Sequence, residues 1–495
     1  MAGALSAISR RAPEKIAIRH GDRTRTFRDL DARIRRIANA TVRDLKIPPG
    51  RTVAVIAGNS IEYLELTAGV PETGVPVATV SAKLTPAEAG AVCDDALADV
   101  LFVDASTAAL AKAATFKTVR RVIEIGAEFE GWIASHGADI ARPTVDEWST
   151  WTIPYTSGTT GKPKGVMLSH RARLLNFIVK GQEYGCFGPD DRFLSITPMN
   201  HGPGVSFPMN TLIFGGFVEI MDKFEPIEVL RKLKYDGFTG IYTVPTHFHA
   251  FFAQAPAVLE EFRRPPLKAI ISNSAPLSQA TKAEIVAYFG DGVLHEMFSS
   301  TEQSLMTNQR PVDQLRKVGS VGLPFAFSNI RIVGDDGRDC GVDEVGEVFA
   351  NSPFLFSGYW NRPEETAAAF KDGWVTVGDL GKRDADGYLY IVGRKKEMII
   401  TGGVNVYPAE VEDVLLTHTA IAEAAVVGLP DPKWGEAVTA FIVVNQGATP
   451  TQDDLTAFCA GKLATYKVPK QFRIVHTLPR NLSGKIVKSE LKALS

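Results

Sequence analysis

The 495-residue sequence has no uninterrupted apolar run of eighteen or more residues, which argues against a membrane-spanning helix. Cysteine is scarce: Cys93, Cys186, Cys340 and Cys459 lie far apart, with no metal-type spacing. That excludes a disulfide framework and suits a reducing, cytoplasmic setting. No excess of charge of one sign is present either. The formal net charge is −2 and basic residues are spread along the chain, so nothing points to nucleic acid or an anionic membrane. There is no internal repeat and no low-complexity tract. The opening residues, 1–15, have too short an apolar part, in the wrong order, for a secretory signal. Two common nucleotide patterns, GxxxxGK[ST] and GxGxxG, are missing.

What is present reads as an ordinary globular protein, 45% hydrophobic and 22% charged. The length exceeds what one core can fill, so two or more domains are expected. Short β-branched runs alternate with helical patterns over the first 400 residues. Examples are 52–57, followed by the cap candidates Gly58, Asn59 and Ser60, and the runs 100–103, 121–125 and 269–271. Such alternation predicts α/β layers with largely parallel sheets. The tail differs. Runs 388–392 and 398–400 read as two strands joined by the charged link 393–397, and Pro408 opens a helix. Strands at 424–427 and 440–444 and a helix bearing Leu455, Phe458, Cys459 and Leu463 complete a compact α+β unit. The expected architecture is α/β: a large multi-sheet N-terminal domain, residues 1–395, and a small α+β C-terminal domain, residues 396–495.

The most informative segment is YTSGTTGKPKG, residues 155–165. Gly158, Gly161 and Gly165 let the backbone approach an anion closely, and Thr156, Ser157, Thr159 and Thr160 supply hydroxyl donors. Lys162 and Lys164 add positive charge, so a polyphosphate is the natural guest.

This loop resembles the signature phosphate loop of the adenylate-forming superfamily of acyl-CoA synthetases, luciferases and peptide-synthetase adenylation domains. Four further segments resemble that family's motifs in the same order: residues 298–302, 377–379, 393–396 and 479–485. The match is nearest to acyl-CoA synthetases. It implies two steps, in which ATP and a carboxylic acid give an acyl-adenylate and coenzyme A then displaces AMP. Mg²⁺ would be the cofactor. By the same resemblance, Glu302 is the magnesium ligand and Thr301 an α-phosphate donor, while Asp379 holds the ribose with help from Arg394. Phe298 would face adenine with Ser299 beside it, where the family often has tyrosine and glycine. Val377 stands where threonine is usual. Lys485 would bridge carboxylate and α-phosphate, and Lys396 would be the hinge of a mobile small domain. Gly402 and Gly403 would line the thiol's route.

For the acid, the resemblance implies a pocket lined by His201, by residues near His247, and by Asn273, Ser274 and Ala275. Asn273 replaces a common glycine, which predicts a shortened pocket and a short, branched or hydroxylated acid. Alternatives are an adenylation enzyme serving a carrier protein, although the aspartate expected near 200–201 is replaced by Asn200 and His201, or a catalytically impaired binding homologue. The expected partners are small molecules (the acid, ATP and coenzyme A), with no nucleic acid and no membrane span.

Overall fold

A computed structural model describes residues 2–138, 144–156, 163–480 and 485–493. The chain falls into two compact units, residues 1–329 with 351–375, and residues 330–350 with 376–495. It is a mixed α/β protein with a large multi-sheet N-terminal part and a smaller C-terminal part.

The larger unit is built on two sheets. In the nine-stranded sheet the run from Ile16–His20 through Phe217–Ile220, Arg192–Ser195, Gly240–Thr243 and Ala269–Ser272 to Leu294–Ser300 is parallel. Antiparallel strands close both ends. The seven-stranded sheet has a parallel centre of Thr52–Ile56, Val77–Thr79, Ala98–Asp104, Arg121–Ile125 and Thr150–Thr156. The central strands are apolar on both faces because both are covered, the usual reading of near-continuous Val and Ile runs. Ser60 caps helix Ile61–Gly69 by accepting from Tyr63 N–H at 3.1 Å. One core joins Val55 and Phe102 of one sheet to Ile18 and Val218 of the other, and the side chains of helices Phe27–Ala40 and Gly202–Ile213 fill it.

Helix His170–Tyr184 also packs in this unit. The Ser169 hydroxyl caps its start and Gly185, at φ 60°, ends it. The first turn of helix Gly202–Ile213 requires Gly204: a Cβ there would lie 2.1 Å from the Pro198 carbonyl oxygen.

In the smaller unit, strands Gly346–Asn351, Asp379–Arg383 and Leu389–Arg394 run antiparallel in one sheet. A second sheet contains Ile399–Thr401, Val404–Val406, Ile421–Asp431, Gly435–Val444 and Gln471–Ile474. The two strands expected to flank a hairpin link thus belong to different sheets. The turn Lys395–Glu397 carries the chain from one to the other. Pro408 opens helix Pro408–Leu415, whose Val411 and Leu415 enter the core with Leu455 and Cys459. All four cysteines are free. No helix among the described residues is long and apolar enough to cross a membrane.

Candidate active site

Two groups of the expected residues assemble, one in each unit. In the larger unit, strands Thr150–Thr156 and Lys164–Ser169 form an antiparallel hairpin in which Thr156 faces Lys164. Their connection, with Ser157, Gly158, Thr159, Thr160, Gly161 and Lys162, lies outside the described residues. The Thr156 hydroxyl donates to the Lys164 carbonyl at 3.5 Å. The Lys164 ammonium stands 5.0 Å from the centre of the Tyr359 ring, and the Tyr359 hydroxyl donates to Glu302 Oε1 at 2.8 Å. Burial and the Glu302 carboxylate push the Tyr359 phenol pKa up, so it stays a donor. One tyrosine therefore holds a cation over its ring and a carboxylate at its hydroxyl. Sequence reasoning missed Tyr359, which belongs to none of the motifs.

Glu302 and Thr301 sit in the turn after strand Leu294–Ser300, both half-buried. The Ser300 hydroxyl shapes that turn by accepting from Gln303 N–H at 2.9 Å. The Gln303 amide in turn donates to the Val375 carbonyl at 2.9 Å. Phe298 and Ser299 end the strand, also half-buried.

The departures from the family pattern are coupled. Asn273 Nδ2 donates to Ser299 Oγ at 2.7 Å, while Asn273 Oδ1 accepts from Ser274 N–H. Ser274 has φ 77°, a left-handed conformation uncommon outside glycine, and its hydroxyl lies 3.2 Å from that of Tyr242. Ala275 is exposed. Both polar atoms of the Asn273 amide thus have a protein partner, which fixes the orientation of the side chain. His201 precedes helix Gly202–Ile213 and borders a narrow cavity with Met199 and Ser206. Burial, then the charge of Lys83, lowers its pKa, so it is neutral at neutral pH. His247 is stacked on Phe224 at 4.3 Å, and burial lowers its pKa to about 4.

In the smaller unit Asp379 is buried and paired with Arg394, Nε to Oδ1 at 3.0 Å. Burial raises the Asp379 pKa, against the pull of Arg394 and of Lys485. Lys485, exposed itself, is thus near enough to act on this carboxylate. Where Val377 replaces the usual threonine, the neighbouring Thr376 supplies a hydroxyl: it accepts from Gly378 N–H at 3.0 Å and donates to Glu347 at 2.8 Å. Lys395 binds the other oxygen of Glu347 at 3.0 Å. Lys396 lies in the turn between the two sheets. Gly402 and Gly403, at φ 57° and 79°, form the tip of a true hairpin, where Gly402 N–H donates to the Trp434 carbonyl at 2.8 Å.

A magnesium ion fits this chemistry. One Glu302 oxygen is bonded to Tyr359 and the other has no partner among the described residues. No cluster of three or more metal-type side chains occurs among the described residues. One carboxylate completed by substrate phosphates is the usual magnesium arrangement in nucleotide sites, not an all-protein cage.

The family model for AMP-binding enzymes matches residues 5–360, and that for the AMP-binding enzyme C-terminal domain matches residues 410–485. The chain is 33% identical over 490 residues to a 2-succinylbenzoate–CoA ligase of Geobacillus kaustophilus, covering 97% of this chain and 95% of that protein. It is 37% identical over 365 residues to a sulfoacetate–CoA ligase of Cupriavidus necator, covering 72% and 70%. Among solved structures, the o-succinylbenzoate CoA synthetase of Bacillus subtilis with its acyl-adenylate intermediate superposes with a TM-score of 0.87. The identity is 30%, and the match covers 99% of this chain and 97% of that one.

Proposed function

The chain belongs to the AMP-binding enzymes, and on that footing we propose that it is an ATP-dependent carboxylate–CoA ligase working through an acyl-adenylate. The observation that carries the reading is the Lys164–Tyr359–Glu302 arrangement, in which a tyrosine paired to strand Lys164–Ser169 holds a cation and a carboxylate together.

A carboxylate is a poor acyl donor because it is anionic and lacks a good leaving group. In the first step its oxygen attacks the α-phosphorus of ATP, and the bond to pyrophosphate breaks. Two anions must meet, so donors aimed at the α-phosphate govern the rate. Thr301 donates there, Lys164 and the loop bind the outer phosphates, and Lys485 bridges the carboxylate and the α-phosphate. Asp379 and Arg394 hold the ribose, and Phe298 offers adenine an apolar face. Glu302 would hold Mg²⁺, which when bound would neutralise charge on the polyphosphate. In the second step the thiol of coenzyme A attacks the acyl carbon and AMP leaves. Exchange of Lys485 for a thiol-entry face requires movement of the chain after Lys396, past Gly402 and Gly403. The crossing from one sheet to another at Lys395–Glu397 is a suitable place for it.

The relatives are named for acids as unlike as 2-succinylbenzoate and sulfoacetate, so membership leaves the acid open. The Asn273 side chain, fixed by Ser299 and Ser274, favours a short or branched acid.

The test is pyrophosphate release with Mg-ATP across a panel of acids, with and without coenzyme A. Acid-dependent release, with an acyl-CoA formed only when coenzyme A is present, is expected. Lys485→Ala should lower release about a hundredfold or more, while supplied acyl-adenylate is still consumed by coenzyme A. Loss of both half-reactions together would remove Lys485 from its assigned role.

A further inference from the structure

Helix His170–Tyr184 carries three cations that the reaction described above does not use: Arg171, paired with Glu147, and Arg173 and Lys180. Arg173, Asn176 and Lys180 are three and four residues apart and so share one face. That face points into the interior of the larger unit, toward helix Gly202–Ile213. Lys180 is fully enclosed, with 2% of its surface accessible. Its ammonium donates to the Ser206 hydroxyl and otherwise rests on aromatic rings, Phe207 at 4.3 Å and Phe177 at 5.0 Å. Arg173 makes no hydrogen bond or ion pair among the described residues, and its Nε is buried without a partner. The Asn176 carbonyl oxygen and both polar atoms of Asn210, on the facing helix, are likewise buried and unpartnered.

Burying charge without a counter-charge disfavours folding, and two neighbouring cations make it worse. The arrangement has a use if the counter-charge arrives with a ligand. Its location fits one. Arg173 and Ser206 border the cavity that His201 borders. Phe207, under the Lys180 ammonium, touches Tyr242 at 4.8 Å between ring centres, and the Tyr242 hydroxyl meets Ser274 at 3.2 Å. Arg173 thus borders the His201 cavity itself, while Lys180 is linked to that cavity through Ser206 and to Ser274 through Phe207 and Tyr242. The cavity is narrow, about 10 Å³, room for roughly one water; a larger group enters only if lining side chains move.

We propose that Arg173 and Lys180 receive a second, distal anionic group, a carboxylate or sulfonate, on the acid that is activated, so that the substrate is a short acid charged at both ends. The inference rests on the ligase reading. A guanidinium offers a planar fork to such a group and an ammonium a point charge, and a pair whose ammonium is buried and whose guanidinium is half-buried is selective because a neutral tail leaves both cations unpaired.

The experiment compares acids of matched length in the wild-type pyrophosphate assay: succinate against butyrate, glutarate against pentanoate, and 3-sulfopropanoate against butyrate. The doubly charged acid should win in kcat/KM by about tenfold or more. Lys180→Met and Arg173→Gln should each lower that ratio about ten- to a hundredfold. Wild-type enzyme that activates the neutral-tailed acid equally well or better overturns the proposal and leaves the ligase reading standing. Absence of release with every acid overturns the ligase reading and this proposal with it. The wild-type ratio requires no variant, so a variant that fails to fold does not shield the idea.

Discussion

Replacing Lys180 by methionine should make the protein more stable while spoiling its selectivity. Burial, then the neighbouring charge of Arg173, holds the Lys180 pKa well below its ordinary 10.5. The folded chain therefore binds fewer protons here than the unfolded chain, and stability rises with pH between the folded and unfolded values. Above the unfolded value the penalty is gone; below the folded value it is fully present. Methionine is similar in length, has no charge to desolvate and keeps contact with Phe177 and Phe207. Exchange of buried charge for packed apolar groups commonly stabilises by about 1–4 kcal/mol. The Ser206 hydroxyl loses its partner, which costs about 1 kcal/mol. A net gain of up to about 3 kcal/mol at neutral pH is expected. The gap between variant and wild type should narrow as pH rises toward 10.5, by no more than about 1.4 kcal/mol per pH unit. Urea unfolding followed by tryptophan fluorescence at several pH values measures it. Wild-type stability equal to or above that of the variant, or a gap that does not change with pH, would refute the reasoning.

Three further outcomes follow from the same geometry. Arg33 donates to Glu65 at 2.6 Å and to both oxygens of Glu130 at 2.7 Å, and Glu65 is fully buried, so Arg33→Met should cost about 3–5 kcal/mol. Adding Glu65→Gln should recover much of that loss in the same urea titration, and a double variant no better than the single one contradicts the orphaned-charge account. Tyr359→Phe keeps the ring beneath Lys164 but removes the hydroxyl bonded to Glu302; adenylation should slow about tenfold, near the low end for a hydrogen bond to a charged group at a half-exposed site. The apparent magnesium requirement should rise with it, and an unchanged metal titration would detach Tyr359 from the metal. Asn273→Gly should shift preference toward longer acids, and Ser299→Gly should do so in part. A double-mutant cycle on chain-length selectivity should be non-additive because the two side chains share one 2.7 Å bond; strict additivity counts against the latch.

The strands and helices were legible where local pattern and burial agree. The run at 52–57 with its Ser60 cap reads directly as strand and helix, because both faces are buried and the cap obeys local chemistry. The charged link at 393–397 read as a hairpin turn and is a crossing between sheets, which no local signal announces, since strand pairing is set by distant partners. The motif residues could be named from the chain, but their partners could not. Glu302 meets Tyr359, 57 positions away, and Asn273 meets Ser299, 26 positions away. Both substitutions at family glycines looked like separate anomalies until the fold placed one against the other.

Arg173 and Lys180 escaped notice for a related reason. A basic residue every second turn of a helix reads as a solvated face, and only the covering elements turn it into buried charge. What marks it as functional is contrast with the rest of the same unit. Lys282 is buried against Glu296 and donates to Gln309 at 2.7 Å. Glu219 is held by Lys232 at 2.6 Å, and Asp191 by Lys268 at 2.7 Å. The fold therefore compensates buried charge in several places, and it does so with ordinary side chains. At the helix behind His201 it places two cations, an unpaired asparagine oxygen and an unpaired asparagine side chain together, with no carboxylate paired to either cation among the described residues. Selection for stability alone removes such a cluster through single changes to methionine or leucine. A ligand that brings the missing negative charge is the simplest reason for the cluster to persist.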